Sequence, residues 1–321
     1  MTKNLITGIG GFVASHLADY LLEMGEEVYG TYRWNEDLSK IEHLKDKITL
    51  IPMDLNDLRS CIDAMEFKPD YIFHLAAQSY VVYSFQAPAS TIDTNCVGTV
   101  NLLEVIRTLK EQKEYDPIIH ICSSSEVYGQ VAPENVPIKE DCPFNPASPY
   151  AVSKVCEDML GLQYWLSYGI KTIRTRMFTH TGPRRGDVFV VSNFAKQIIE
   201  IEKSKRDPVI KVGNLDSVRT FADVRDVVNA YWTLVCSCPP GEVYNIGGKI
   251  TMTVGEMLEK LLSFASAKNT KIEVDKSRLR PSDVTLQIPC IDKFVSETGW
   301  QPAIDFDTTL HDTLNYWREK L

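Results

Sequence analysis

Apolar residues gather in short runs along the first half of the chain. These runs alternate with stretches in which apolar positions recur every three or four residues. Residues 4–7, 27–32, 48–53, 71–75 and 118–122 form short strand-like runs rich in apolar residues, and 172–177 is strand-like again. Residues 12–24, 91–109 and 150–168 carry helical periodicity, and residues 35–47 are polar. Strands alternating with helices predict an α/β fold with a doubly wound parallel sheet of the Rossmann kind. Beyond residue 178 the rhythm changes. Residues 182–186 read as an arginine-bearing loop, 191–203 and 254–266 as helices, and the tail holds a further loop rich in Arg and Pro. The runs at 224–234 and 243–246 fit a return to the first sheet. The expected division is a Rossmann domain over 1–178 plus about 221–247. A smaller C-terminal substrate-binding domain would span 179–220 and 248–321.

Length and composition fit that division. A chain of 321 residues that is 44% hydrophobic can bury a large core and an appended lobe. Lys and Arg number 34 against 43 Asp and Glu, a net charge of −9. Such a chain is a poor partner for nucleic acid or an anionic membrane, although a local arginine cluster can still hold an anion. The eight cysteines show no zinc-ligand spacing, so no metal site is expected, and they read as buried free thiols of a reducing compartment. There is no signal-peptide layout, and no apolar run approaches the roughly 20 residues of a spanning helix. A cytoplasmic protein is the expectation.

The chemistry begins at Thr7-Gly8-Ile9-Gly10-Gly11-Phe12-Val13-Ala14, between the first strand and the first helix. Gly8 permits the tight turn, Gly11 lets the backbone approach a pyrophosphate, and Ala14 permits close helix–strand packing. Thr7, Phe12 and Val13 flank that approach, and the helix N-terminus offers free N–H groups to phosphates. The second strand ends Gly30-Thr31-Tyr32-Arg33, with no acid until Glu36. An acid there would bind the ribose 2′-hydroxyl of NAD, whereas Arg33 suits the 2′-phosphate of NADP. NADP is therefore the expected cofactor, with NAD the alternative. The bland reading of Arg33 is a solvated surface arginine.

Tyr150 and Lys154 stand four residues apart and share a helix face. An ammonium beside a phenol lowers its pKa, which would make Tyr150 a base near neutral pH. The segment from Ile121 to Gly129 follows an apolar strand, so Ser124 and Glu126 emerge at the C-terminal edge of the sheet, where ligands bind in open α/β folds. A serine there can hydrogen-bond the substrate hydroxyl that Tyr150 deprotonates. A carboxylate held near a sugar ring can remove a carbon-bound proton next to a ketone. As a bland alternative, Glu126 is a helix-capping or solvated glutamate.

With these residues in view, the chain resembles the extended short-chain dehydrogenase/reductase superfamily over nearly its full length. Its branch is that of GDP-mannose 4,6-dehydratase and GDP-4-keto-6-deoxymannose reductase, with similarity also to GDP-N-acetylglucosamine 4,6-dehydratase. The resemblance rests on the Gly8–Ala14 turn, Leu75-Ala76-Ala77-Gln78-Ser79, Ser84-Phe85 with Pro88, Ser124 through Gly129 and Tyr150 to Lys154. It continues at Gly182-Pro183-Arg184-Arg185-Gly186, Gly213-Asn214-Leu215 with Arg219, and Arg280-Pro281 with Asp283. It implies that Asp54 and Leu55 flank the adenine, that Leu75, Ala76 and Ala77 line the cofactor pocket, and that His180 lies on the cofactor side. It further implies a redox triad of Ser124, Tyr150 and Lys154, with Glu126 as acid/base. Ser79, Ser84, Thr179, Arg185 and Val190 would meet the substrate, and Arg219 and Arg280 its diphosphate. The chain departs from the branch at Thr179, where relatives carry Asn, at Ser192-Asn193, where mannose dehydratases carry a basic pair, and at Thr220, where the usual residue is Asp. Thr179-His180, Thr220 and Arg33-Trp34 are closer to the N-acetylglucosamine type. The implied activity is nucleotide-sugar 4,6-dehydration in deoxysugar biosynthesis for cell-surface polysaccharide, with 4-keto-sugar reduction or 4-epimerisation as alternatives. Pairing through the helices at 91–109 and 150–168 would make a homodimer or homotetramer.

Overall fold

The structure, a computed structural model, describes residues 1–112, 115–267, 270–279 and 284–321. The first half supplies six strands: β1 (Lys3–Thr7), β2 (Glu27–Tyr32), β3 (Thr49–Pro52), β4 (Tyr71–His74), β5 (Ile118–Ser124) and β6 (Thr172–Met177). Helices α1 (Phe12–Glu23), α2 (Leu58–Ala64), α3 (Val81–Gln86), α4 (Pro88–Ile92), α5 (Gly98–Glu111) and α6 (Pro149–Tyr168) connect them. The second half adds β7 (His180–Thr181), α7 (Val190–Glu202), β8 (Val209–Val212), β9 (Val218–Asp223), α8 (Val224–Ser237), β10 (Val243–Ile246) and β11 (Ile250–Thr253). It continues with α9 (Val254–Ser263), β12 (Lys271–Val274), β13 (Leu286–Gln287), α10 (Asp292–Thr298) and α11 (Phe306–Lys320).

Seven strands form one sheet in the order β10-β6-β5-β4-β1-β2-β3, with every neighbouring pair parallel. Parallel neighbours require crossovers, and the helices that make them cover both faces. On one face Leu17 and Leu21 of α1 share a core with Val227, Tyr231 and Leu234 of α8. On the other, Leu102, Leu103 and Ile106 of α5 and Tyr164 of α6 pack over Ile72, Ile119 and Ile121. The order reverses between β1 and β4, which places the switch point at the C-terminal ends of those strands. A second sheet runs β11-β9-β13, with β7 also paired to β9. Helices α7, α9 and α11 close over it around Phe194, Ile198, Leu258, Leu261, Leu310 and Trp317.

The sequence pattern is altered in places that matter for the site. Residues 91–109 are not one regular helix. A π-helical turn, Asp93–Val97, separates α4 from α5 and carries the fully buried Asn95. Residues 224–234 belong to a helix that covers the sheet, whereas 243–246 enters it as an edge strand. Helix α11 escapes the apolar pattern because two of its core positions, Thr309 and Thr313, are fully buried threonines. The cysteines are all free, yet only Cys61, Cys96, Cys238 and Cys290 are buried, and Cys236 is exposed. No helix among the described residues is long and apolar enough to cross a membrane.

Candidate active site

Helix α6, which carries Tyr150 and Lys154, is defined locally at both ends. Ser148 caps α6 by accepting from Ala151 N (3.0 Å), Pro149 occupies its first turn, and Gly169 ends it in the left-handed region at φ 64°. In between, α6 is pinned to β6. Asp158 accepts from Arg174 NH1 (2.9 Å) and Arg176 Nε (2.8 Å), and all three side chains are buried. This fixes Tyr150 and Lys154 at the C-terminal edge of the sheet.

Ser124 ends β5 and accepts from Glu126 N at 3.2 Å, starting a tight turn that carries Glu126 half-buried two residues on. The Ser124 hydroxyl faces the Tyr150 phenol and favours its ionised form. Lys154 Nζ donates to Cys122 O (2.8 Å) and to Glu157 Oε2 (2.7 Å). Lys154 and Ser124 do pull the Tyr150 phenol toward ionisation, as the sequence predicts, but burial pushes its pKa up by more. In the bare protein the phenol is therefore protonated at neutral pH.

Ser124, Tyr150 and Lys154 line a cleft of about 530 Å³ that reaches back to the glycine turn. Gly8, Gly11, Phe12, Val13, Arg33, Asp54, Leu55, Leu75, Ala76, Ala77, Ser79, His180 and Arg185 line it too. At Gly8, φ is +70° and a Cβ would fall 2.9 Å from Ala76 Cα, so only glycine lets the turn pass the loop after β4. Thr7 is fully buried and holds that loop rather than facing the cleft: its Oγ1 accepts from Leu75 N (3.0 Å) and Ala76 N (2.9 Å). Asn95 ties the same loop to α6, accepting from Gln78 N (2.8 Å) and donating to Gln78 O (3.0 Å) and Ser153 Oγ (2.8 Å).

His180 lies parallel to Phe12 with ring centroids 6.0 Å apart. Its Nδ1 is engaged with Phe178 O (3.0 Å), which leaves Nε2 buried without a hydrogen-bond partner among the described residues. Burial and the nearby Arg185 lower its pKa to about 3, so the ring is neutral. The Arg185 guanidinium stacks 3.6 Å from the Phe189 ring centroid and 4.8 Å from that of Phe12. Burial draws its pKa down to about 10, which leaves it charged at neutral pH. The uncapped N-terminus of α1, the glycine cradle and the orphaned His180 Nε2 fit a dinucleotide.

Three comparisons bear on this geometry. Residues 5–313 match the family described as GDP-mannose 4,6 dehydratase. The chain belongs to the GDP-mannose 4,6-dehydratase family. Among its relatives, the GDP-6-deoxy-D-mannose reductase of Pseudomonas aeruginosa is 32% identical across 100% of this chain and 99% of its own. The GDP-mannose 4,6-dehydratase of Yersinia enterocolitica is 31% identical across 95% and 90%. The solved structure of RMD from Pseudomonas aeruginosa complexed with NADPH superposes with a TM-score of 0.84 at 30% identity, covering 100% of each chain. The GDP-mannose 4,6-dehydratase family fold seen here is that of the extended short-chain dehydrogenase/reductase enzymes.

A second cleft of about 600 Å³ shares Phe189 with the first and is lined by Val190, Asn193, Asn214, Ser217, Arg219 and Arg278, among others. Arg219 donates to Val218 O (2.9 Å) and to Val284 O. Ser84 does not reach either cleft: it is fully buried and donates to Val81 O at 2.6 Å. Glu126 and Thr179 stand beside the first cleft in sequence without lining either cleft. Arg280 lies outside the described residues. Sequence reasoning missed Glu157, Asn95 and Arg278. Only Glu157 had a signal, three residues beyond Lys154 on the same helix.

Proposed function

We propose that this chain is an NADP-dependent nucleotide-sugar 4,6-dehydratase acting on a GDP-linked hexose. The observation that carries the reading is the convergence of Ser124, Tyr150 and Lys154 at one sheet edge with Glu126 in the same turn, in a chain of the dehydratase family. Residues 1–178 with about 221–247 hold the cofactor, and 179–220 with 248–321 hold the sugar nucleotide. Gly8, Gly11, Phe12, Val13, Asp54, Leu55, Leu75, Ala76, Ala77 and His180 surround the cofactor, with Arg33 at the 2′-phosphate and Thr7 holding the loop behind them. Held there, NADP would supply a hydride acceptor for C4 and, once reduced, the hydride donor for C6. Tyr150 takes the proton of the 4-hydroxyl while Ser124 hydrogen-bonds that oxygen. Lys154 holds the developing phenolate. Once C4 is a ketone, C5 is acidic: Glu126 removes its proton, the C6 hydroxyl takes up a proton and leaves as water, and C5 is reprotonated when hydride reaches C6. Arg219 and Arg280 hold the diphosphate by charge-assisted hydrogen bonds, with Arg185, Val190 and Thr179 along the substrate. The enzyme works in the cytoplasm as a homodimer or homotetramer and supplies deoxysugars for cell-surface polysaccharide.

A second reading, an NADPH-dependent 4-keto-sugar reductase, is favoured by one observation: the chain covers 99% of the reductase relative but 90% of the dehydratase one. Incubation with GDP-mannose or GDP-N-acetylglucosamine, without added reductant, decides between them. Loss of one water from the substrate is the expected result. An unchanged mass, followed by stoichiometric NADPH oxidation with a 4-keto sugar, assigns the reductase. Glu126→Gln is expected to abolish water loss while leaving cofactor binding intact, and unchanged dehydration would remove Glu126 from the mechanism.

A further inference from the structure

The proposed chemistry leaves the buried acid beside Lys154 unused. Glu157 is 1% exposed, and its Oε2 lies 2.7 Å from Lys154 Nζ. Its other oxygen, Oε1, is buried without a hydrogen-bond partner among the described residues. An ammonium has three N–H donors. In Lys154 one is given to Cys122 O and one to Glu157, so a single donor remains for the cleft. The carboxylate thereby sets which way that last donor points.

Burial pushes the Glu157 carboxyl up to about 7 while Lys154 draws it down, and where ionised it also offsets the lysine's charge. The charged and titratable groups around the pair are few. On α6 they are Tyr150, Cys156 and Asp158, and Asp158 is already committed to Arg174 and Arg176 of β6. From β5 come Cys122 and the neutral His120, from β4 the neutral His74, and from the π-helical turn Cys96. Across the cleft, the Arg185 guanidinium is a second cation at Tyr150 and the Tyr231 hydroxyl also faces it, so Glu157 offsets the lysine's share of the field on the phenol.

We propose that Glu157 is a positioning residue that fixes the Lys154 ammonium and moderates the pull of that ammonium on the Tyr150 proton. This rests on the reading of Tyr150 as the acid–base of the reaction. Glu157 thus tunes the pH range in which Tyr150 works.

The test is Glu157→Gln, whose amide oxygen still accepts from Lys154 while the charge is gone. The acidic limb of the kcat/KM profile should move down by about one pH unit. In 13Cζ-tyrosine-labelled protein without substrate, the Tyr150 resonance, assigned by its loss in Tyr150→Phe, should titrate lower by a similar amount. Glu157→Asp should return both toward wild type. A profile and a Tyr150 titration superimposable on wild type would reduce Glu157 to packing and overturn the proposal. If Glu157→Gln does not fold, Lys154→Met in 13C-glutamate-labelled protein takes its place. The Glu157 carboxyl midpoint should then rise by about one unit or more, and an unmoved midpoint overturns the pairing. The NMR titrations need no turnover, so a failure of the dehydratase reading would show separately, as no water loss by the wild type.

Discussion

Replacing Asp158 by Asn tests what holds the catalytic helix against the sheet. Asp158 is fully buried and accepts from Arg174 NH1 (2.9 Å), Arg176 Nε (2.8 Å) and Arg176 NH2 (3.3 Å). Arg176 is further held by Tyr128 Oη (3.0 Å) and Glu140 O (2.6 Å), and it faces the Phe144 ring at 4.5 Å. Neither guanidinium can retreat to water. Asn keeps the shape but turns one acceptor into an NH2 facing a guanidinium donor, and it adds one net positive charge to the buried cluster. Breaking a buried pair in this way costs about 3–5 kcal/mol, a factor of roughly a hundred to several thousand in the folded-to-unfolded ratio. Urea unfolding followed by circular dichroism and tryptophan fluorescence would measure the loss. Arg174→Met leaves the carboxylate paired with Arg176 and should cost less than half as much. The double variant should recover part of the Asp158→Asn loss, because it removes the excess charge. A loss below about 1 kcal/mol for Asp158→Asn, or strictly additive single effects, would refute the view that this cluster anchors α6.

Arg33→Ala should weaken NADP by about tenfold to a hundredfold while leaving NAD unchanged, since a charge-assisted bond contributes about 1.5–3 kcal/mol; calorimetric titration with both would show it, and equal weakening would exclude a 2′-phosphate partner. Burial lowers the pKa of His74 and His120 to about 3 and of His16 to about 4, against 6.5 unfolded. Their folded values are depressed, so the unfolded chain takes up protons first and stability falls as pH drops below 6.5. The expected loss at pH ~5.5 is about 1 kcal/mol per histidine, and flat thermal stability from neutral pH to that point would contradict it. Gly129 has φ +58°, and a Cβ there would fall 1.8 Å from Asn145 O. Gly129→Ala should therefore cost at least about 2 kcal/mol and disturb the turn bearing Glu126, and wild-type unfolding and turnover would show that the turn tolerates a side chain.

The sheet was legible because its strands leave short strand-like runs along the chain, and β2 and β6 match theirs from end to end. The glycine turn and the Tyr150–Lys154 spacing were legible because each motif lies within one local stretch. What the sequence concealed depends on partners distant along the chain. Asn95 looks like an ordinary polar helix residue until the π-helical turn aims it at Gln78 and Ser153. Arg174 and Arg176 read as breaks in a buried strand, and only Asp158 on α6 explains them. The expected fall in the Tyr150 pKa weighed the lysine and not the burial, which no spacing reveals. Ser84 belongs to a recognisable motif, yet its hydroxyl is consumed within its own helix turn.

The last strand of the seven-stranded sheet, β10, reaches β6 only after the chain has already passed through β7, α7, β8 and β9. The chain then leaves again for β11 and α9. The two halves are therefore laced rather than strung in series. Cutting after β6 would strip the large sheet of an edge strand and of the helix that covers α1. An exchange of sugar-binding regions between relatives must accordingly splice the chain at several junctions at once. Point substitution within the second cleft, the proposed sugar-nucleotide site, avoids that constraint, because it leaves every crossing of the chain between the two halves in place.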